Sequence, residues 1–386
     1  MRVLVLGGCG AQGSFATKEL ATSEEFSEVV IGDYNIRRAK ELASELSEYG
    51  VEAKKIDVRN KDEVVELIRK NDVVVNCVGP FYMFGEIVLK ATIEAGRDYV
   101  DICDDADATI KMLSFNEEAK KKGITAVVGL GASPGITNIL SKAIADRCDE
   151  LDEIKQYWVV DSSTDPEGVG VMFHAAHGLS GKVPQYIDGK LVNVEAGSGV
   201  ETVEFLSGAA KVAYFGHPEP VTLPKYIKVK TVINKGGFLP ERDFKIFMLM
   251  SKMGLFSTKG IFGLSPRKIF VPILSRVSTQ KEVKEGTRTA MRIEFLCREE
   301  GETIRYIAHL HGHMGPATGM PAAVGAMMIA RGEVDAVGVL PPEACINTEK
   351  FLAMASERIP ENTSLILETV MGNKVERKSL LEAILS

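Results

Sequence analysis

Cysteine is sparse in this sequence and follows no pairing pattern: Cys9, Cys77, Cys103, Cys148, Cys297 and Cys345 are scattered through 386 residues with no C-x-x-C spacing. That excludes a disulfide framework or a zinc ribbon and predicts reduced, mostly buried thiols. Basic charge is not in excess either, with 46 Lys and Arg against 53 Asp and Glu and a net charge of −7. Such a balance favours solubility and opposes sequence-independent binding to nucleic acid. Long apolar runs are missing as well. The first one ends at glycine after Leu6, too short for a signal-peptide core or a membrane span, so the expected setting is the cytoplasm. No internal repeat or low-complexity segment stands out. With 45% hydrophobic and 26% charged residues the chain is of globular composition, and its length suggests two domains.

The first third alternates apolar runs with helical periodicity. RVLVLG, EVVIGD, VEAKKIDV, DVVVNCVG, DYVDIC and ITAVVGLG read as strands, separated by amphipathic stretches such as IRRAKELASEL and helices near Lys61–Lys70, Glu86–Ala95 and Ala108–Lys121. Strands that are continuously Val, Ile and Leu are buried on both faces, which implies a parallel sheet with right-handed crossovers: an α/β, doubly wound architecture. After a helix from about Gly135 to Arg147 the pattern turns to β-type alternation in EIKQYWVV, YIKVKTVI, RTAMRIEFLC and TIRYIAHLHG, which predicts a second, mostly antiparallel sheet. Asp188-Gly189 and the interruptions near Pro218, Pro224 and Gly236 to Pro240 predict turns and loops. Helical patterns return at Met320–Ala330 and Thr348–Ser356 and are expected to pack back on the first domain. The expected divisions are 1–135, 136–315 and 316–386.

Gly8, Gly10 and Gly13 form G-x-G-x-x-G between the first strand and the first helix, and Asp33 stands twenty residues beyond Gly13 at the end of the second strand. The glycines permit a tight turn, close approach of a pyrophosphate and helix-on-strand packing, while the helix N-terminus holds the anion. This predicts a Rossmann dinucleotide site made by Gly8, Gly10, Ala11, Gln12 and Gly13. Asp33, with Tyr34 beside it, would bind the adenosine ribose hydroxyls and repel a 2′-phosphate, which favours NAD. Arg37 and Arg38 leave NADP open, since they either meet a 2′-phosphate or form a solvated helix face. Asp57 and Val58 are expected to border the adenine, and Cys77, Val78, Gly79 and Pro80 to line the crevice toward the nicotinamide.

Taken with that bend, VVNCVGPF (Val74–Phe81), AGRDYVDICDD (Ala95–Asp105), GLGASPGITN (Gly129–Asn138) and GEVDAVGVLPPEACINTEKFL (Gly332–Leu352) resemble the saccharopine dehydrogenase-like family of amino-acid oxidoreductases over nearly the whole chain. The resemblance implies a Rossmann domain split in sequence and an inserted α+β domain carrying substrate contacts and the contacts of a homodimer. It also implies hydride transfer between a nicotinamide cofactor and a carbon bearing nitrogen. Ser133 stands where saccharopine reductases carry an acidic residue. With an Asp33 suited to NAD, the leading expectation is L-lysine 6-dehydrogenation, with saccharopine or carboxynorspermidine as the alternative amino-acid or polyamine substrate.

Oxidising an amine requires a neutral nitrogen lone pair, hence a base for the ammonium proton. Asp101 is the first candidate, with a structural carboxylate capping a nearby turn as the alternative reading. Tyr99, two residues earlier and so on the same strand face, either positions substrate or packs. Asp104 and Asp105 read as exposed loop acids. Ser133-Pro134-Gly135 reads as a helix start with Ser133 at the N-cap, where a substrate carboxylate could sit, and Asn138 follows one turn on. His174 and His177 would share a helix face and could relay protons or simply pack. His309, His311 and His313 alternate on a strand; they are read as sheet-surface histidines, and no metal is expected. Arg292 and Arg305 are open to a substrate carboxylate or to solvent.

Two other readings bear comparison. A short-chain dehydrogenase needs Tyr-x-x-x-Lys on one helical face, yet Tyr186 and Lys190 span the Asp188-Gly189 turn, and Tyr226 and Lys230 fall in an alternating strand. A non-catalytic dinucleotide sensor would keep Asp33 and the glycines but need no acid or base.

Overall fold

In the computed structural model residues 1–164, 168–258, 265–278 and 286–385 are described. They form two compact units, Met1–Ile136 with Gly315–Arg358 and Thr137–Met314 with Ile359–Ser386.

The first unit begins β1 (Arg2–Leu6), α1 (Gly13–Ala21), β2 (Glu28–Asp33), α2 (Ile36–Glu45), β3 (Val51–Lys55), α3 (Lys61–Arg69), β4 (Val73–Asn76), α4 (Phe81–Ala95), β5 (Asp98–Asp101), α5 (Ala106–Leu113), α6 (Asn116–Lys122) and β6 (Thr125–Val127). Val3 to Leu6, Val29 to Ile31 and Val73 to Val75 are buried almost completely, so the central strands have helices on both faces. The helix expected over Ala108–Lys121 is two helices, broken at Ser114 and Phe115.

The second unit runs through α7 (Ile136–Ala145), β7 (Glu150–Asp161), α8 (Val169–Gly178), β8 (Lys182–Ile187), β9 (Lys190–Glu195), β10 (Glu201–Phe205), β11 (Gly208–Tyr214), α9 (Glu219–Tyr226), β12 (Val229–Leu239), α10 (Glu241–Lys252), α11 (Pro266–Ser278), β13 (Ala290–Glu299) and β14 (Glu302–His311). The chain then returns to the first unit with α12 (Met314–Ala330), β15 (Gly338–Leu340), α13 (Pro342–Cys345) and α14 (Thr348–Ser356), and finishes with β16 (Ser364–Met371), β17 (Lys374–Ser379) and α15 (Leu380–Leu385).

The first sheet has the order β15-β6-β5-β4-β1-β2-β3 with all pairs parallel. Its strand order reverses between β1 and β4, and in such sheets the crevice beyond that point takes the ligand. Helix α12 packs by the first bend: a Cβ on Gly319 would stand 2.6 Å from the Gln12 carbonyl oxygen and 2.7 Å from the Ala16 nitrogen.

The second sheet has ten strands in the order β10-β11-β12-β7-β13-β14-β16-β17, with β8 and β9 attached through β12. It is antiparallel except where β12 runs parallel to β7. The last segment departs from the expected division, because β16 pairs with β14 over eight residues and so places Ile359–Ser386 in the second unit.

Two expectations are overturned here. Gly236 to Leu239 continue β12 instead of forming a loop, and Pro224 lies inside α9. At Gly236 a Cβ would come 2.1 Å from the Trp158 ring, and at Gly237 2.2 Å from the Lys211 carbonyl oxygen, so these glycines answer to close packing rather than to a turn. Nor are all the cysteines thiols. Cys148 and Cys297 form a disulfide with Cα atoms 5.6 Å apart across 149 residues of sequence, because Asp149 N donates to Arg298 O and closes that strand end. Among the described residues no helix is long and apolar enough to cross a membrane.

Candidate functional site

The bend after β1 is built as the glycine spacing demands. Gly7 has φ +71°, and Gly10 N donates to Gly7 O at 3.0 Å. A Cβ on Gly13 would lie 2.2 Å from that same carbonyl oxygen, so α1 can begin against the turn only with glycine there. Thr17 Oγ1 donates to Gly8 O at 2.9 Å and ties the helix back to the bend. Gln12 is the N-cap without a side-chain cap bond, and its Oε1 is buried with no hydrogen-bond partner among the described residues. The N–H groups of a helix start set against a glycine turn fit the anionic pyrophosphate of a bound dinucleotide.

Around this bend, Asp33 ends β2, its Oδ1 accepting from Asn35 N at 2.8 Å, and Asn35 caps α2. Cys9 lies nearby, its thiol pushed up to about 12 by burial and then by Asp33. Tyr34 is exposed, with Lys55 5.9 Å over its ring. Asp57 is held by a two-pronged Arg59 fork with a 2.5 Å contact, which lowers the carboxyl to about 2. Val58 is buried beside it. Arg37 pairs with Glu41 at 3.2 Å.

At the carboxyl ends of β4 and β5 Asn76, Tyr99 and Asp101 form a buried polar chain. Asn76 Nδ2 donates to the Tyr99 hydroxyl at 2.9 Å, which donates to Asp101 Oδ2 at 2.8 Å. Asp101 Oδ1 accepts from Cys103 N at 2.9 Å and Gly129 N at 2.7 Å. Burial pushes the Asp101 carboxyl up to about 7, against the lowering effect of those hydrogen bonds. The same burial raises Tyr99 well above its usual value and Cys77 to about 12. Cys77 N donates to Leu6 O on β1 and Val78 N to Asn76 Oδ1 at the end of β4, so the Cys77-Val78-Gly79 turn is fixed to those two strand ends before Pro80 caps α4.

Two site expectations change. Asp105 is fully buried, not an exposed loop acid, because its Oδ2 accepts from Tyr82 N in the first turn of α4, where a helix favours negative charge; Asp104 is half-buried. Ser133 is not the N-cap of α7, which starts only at Ile136. The segment instead folds back so that Gly131 N donates to Pro134 O and Ile136 N to Gly131 O, with Gly135 at φ +125°. Asn138 is buried, accepting from Thr137 Oγ1 at 3.2 Å and donating to Thr222 Oγ1 at 3.4 Å.

In the second unit His174 and His177 do lie on one helix, α8, but in different surroundings. His177 Nδ1 is 2.8 Å from Arg267 Nη1, and since a guanidinium can only donate, that nitrogen accepts. Arg267, missed in the sequence, also donates to Phe256 O and so fixes α8 to α11. The His174 ring contacts Phe215 at 5.5 Å and His217 at 5.2 Å. His309, His311 and His313 do not converge, since β14 ends at His311 and His313 lies beyond it. His311 Nε2 contacts Thr287 O at 2.9 Å. His309 is 3.4 Å from Glu368, and burial lowers its pKa. Arg292 is occupied by Glu294 at 2.7 Å and by Glu204 O.

Comparison with known proteins agrees with this architecture. Residues 3–127 match the saccharopine dehydrogenase NADP binding domain, and residues 175–359 match the saccharopine dehydrogenase C-terminal domain. A saccharopine dehydrogenase-like oxidoreductase of Rattus norvegicus is 31% identical over 140 residues, 32% of each chain, so this chain is matched over about a third of that relative's length. A carboxynorspermidine synthase of Vibrio cholerae is 22% identical over 91% of this chain and 94% of its own. The apo saccharopine dehydrogenase (L-Glu forming) of Saccharomyces cerevisiae has the same fold, with a TM-score of 0.67 and 16% identity over 96% of this chain and 99% of that one. With both family domains matched in order along its length, the chain belongs to the saccharopine dehydrogenase-like family of nicotinamide-dinucleotide-binding oxidoreductases.

Proposed function

We propose that the protein is an NAD-dependent amino-acid dehydrogenase that removes hydride from a carbon bearing an amine, with the ε-carbon of L-lysine as the leading substrate position. The observation that carries the reading is the Gly8-to-Gly13 bend with Asp33 at the end of the neighbouring strand. Gly8, Gly10, Ala11, Gln12 and Gly13 would hold the pyrophosphate, Asp33 and Tyr34 the adenosine ribose, Asp57 and Val58 the adenine border, and Cys77 to Pro80 the nicotinamide side. The choice of NAD is supported by Asp33, and Arg37, one of the two cations open to a 2′-phosphate, is paired with Glu41. A cytoplasmic setting is part of the proposal.

When bound, the nicotinamide supplies the hydride acceptor. The protein's task is to take a proton from the substrate ammonium so that the nitrogen lone pair can support loss of hydride from the adjacent carbon; water then converts the imine to aldehyde and ammonium. Over the cycle one alkyl ammonium, one oxidised nucleotide and one water give aldehyde, ammonium, reduced nucleotide and one proton. Asp101 is the proposed proton acceptor, standing at the carboxyl end of β5 with burial pushing its carboxyl up to about 7. Tyr99, which donates to Asp101 Oδ2, is assigned a positioning role, and the Ser133-Pro134-Gly135 turn is proposed to shape the substrate side. The test follows NAD⁺ and NADP⁺ reduction with lysine, saccharopine and carboxynorspermidine in parallel. Turnover with lysine and NAD⁺ supports the full assignment, turnover with another amine redirects the substrate, and none with any amine refutes the reading.

A further inference from the structure

One end of the β7–β13 pair in the second unit gathers two sulfurs and a carboxylate. Cys148 precedes β7, and Asp149 N donates to Arg298 O at 3.0 Å, which sets Cys148 beside Cys297 on β13. Glu299 stands two residues beyond Cys297 and so lies on the same face of that strand. One carboxylate oxygen of Glu299 and the two sulfurs lie within 4.8 Å of one another. Tyr306, opposite Phe295 in the β13–β14 pairing and hence on that face too, donates its hydroxyl to Glu299 Oε1 at 2.8 Å. Burial, and then Glu299, push this hydroxyl up to about 12, so it remains a donor at neutral pH. Cys297 is buried, whereas Cys148 and Glu299 are half-buried, so solvent reaches the cluster.

Joined as a disulfide, the sulfurs offer no thiolate. A dithiol reductant breaks the S–S bond and is itself oxidised to a disulfide, passing two electrons and two protons to Cys148 and Cys297. Two thiolates and a carboxylate are a donor set for zinc, which takes sulfur at about 2.3 Å and carboxylate oxygen at about 2.0–2.2 Å. Ligand atoms around such an ion stand about 3.5–4 Å apart. Cα atoms 5.6 Å apart let the freed sulfurs reach that spacing by side-chain rotation. Binding displaces both thiol protons, including the one that Cys148 can give to Ile144 O, 3.1 Å from its sulfur. The Tyr306 hydroxyl occupies one oxygen of Glu299 and orients the carboxylate, as outer partners of zinc ligands do. Arg147, whose charge acts on Tyr306, offsets part of the negative charge of the set.

We propose that the reduced Cys148 and Cys297 thiolates and Glu299 form a zinc site, closed to metal whenever the disulfide is present, with Tyr306 as the positioning residue for Glu299. The test takes the full chain either oxidised or reduced without air by a water-soluble phosphine, and uses cobalt(II) and zinc(II) alone as probes. The reduced protein should develop sulfur-to-cobalt charge-transfer absorption that saturates at one ion per chain and is bleached by zinc, and the oxidised protein should develop none. Glu299→Gln should weaken cobalt binding about tenfold or more, and Tyr306→Phe should weaken it in the same direction. No such absorption in the reduced wild-type protein overturns the proposal, as does equal absorption in the oxidised one. A band that persists in the Cys148→Ser, Cys297→Ser double variant also overturns it, because the ion would then be held by the other four cysteines. So does unchanged affinity in Glu299→Gln. The comparison of the two wild-type redox states decides the matter even if a variant does not fold, and it involves neither nucleotide nor amine.

Discussion

Asp101 gives the sharpest physical test in the first unit. Its carboxyl sits among Tyr99, Cys103 and Gly129, and burial moves its pKa from 3.8 to about 7. A carboxyl harder to ionise folded than unfolded contributes its full stability below the unfolded value and loses it as pH rises through the folded one. Between these two values the loss amounts to about 4 kcal/mol, of which about 3 kcal/mol should fall between about pH 5 and pH 8. Asp101→Asn keeps an oxygen for Cys103 N and Gly129 N but carries no charge at either pH. The expected result is that the stability of the variant relative to wild type rises by about 3 kcal/mol from pH 5 to pH 8. Urea unfolding followed by far-ultraviolet circular dichroism measures it, provided the denaturant slope is the same for both proteins. A relative stability that does not change with pH, or that falls on the alkaline side, would refute the reasoning.

Gly13→Ala places a methyl 2.2 Å from the Gly7 carbonyl oxygen, where neither backbone can yield cheaply, so calorimetry should show nucleotide affinity falling by about tenfold or more while the second unit stays folded. Asp33→Ser removes the ribose acceptor and the repulsion of a 2′-phosphate; NAD⁺ binding should weaken by about 1–2 kcal/mol, and the preference over NADP⁺ should narrow. Thiol counting in denaturant should find four reactive cysteines without reductant and six with it. Closing 149 residues restricts the unfolded chain by about 4–5 kcal/mol, so Cys297→Ser should lower the unfolding midpoint of the second unit; six thiols without reductant would contradict the pairing.

The first sheet was legible because its strands are apolar on both faces and its bend is written in consecutive residues, Gly8 to Gly13, with Asp33 at a fixed distance. Local spacing ceased to help wherever a neighbour distant in sequence decides the structure. Gly236 and Gly237 resemble a turn until the Trp158 ring and the Lys211 carbonyl occupy the space beside them. Asp105 resembles a solvated acid until the first turn of α4 donates to it. Cys148 and Cys297 have no pairing signature because the strand end that joins them is closed across 149 residues of sequence. Ser133 and Pro134 have the residue types of a helix start, but the chain turns back at Gly131 and Gly135 first.

The central claim is that hydride leaves a carbon bearing nitrogen for a nucleotide seated on the Gly8-to-Gly13 bend. Lysine deuterated at the ε-carbon tests it directly, with the reduced nucleotide analysed by mass spectrometry. The account predicts one deuterium per molecule of reduced NAD and none when the label is at the α-carbon. Reduced nucleotide that carries no label from any amine-bearing carbon of lysine, saccharopine or carboxynorspermidine would contradict it.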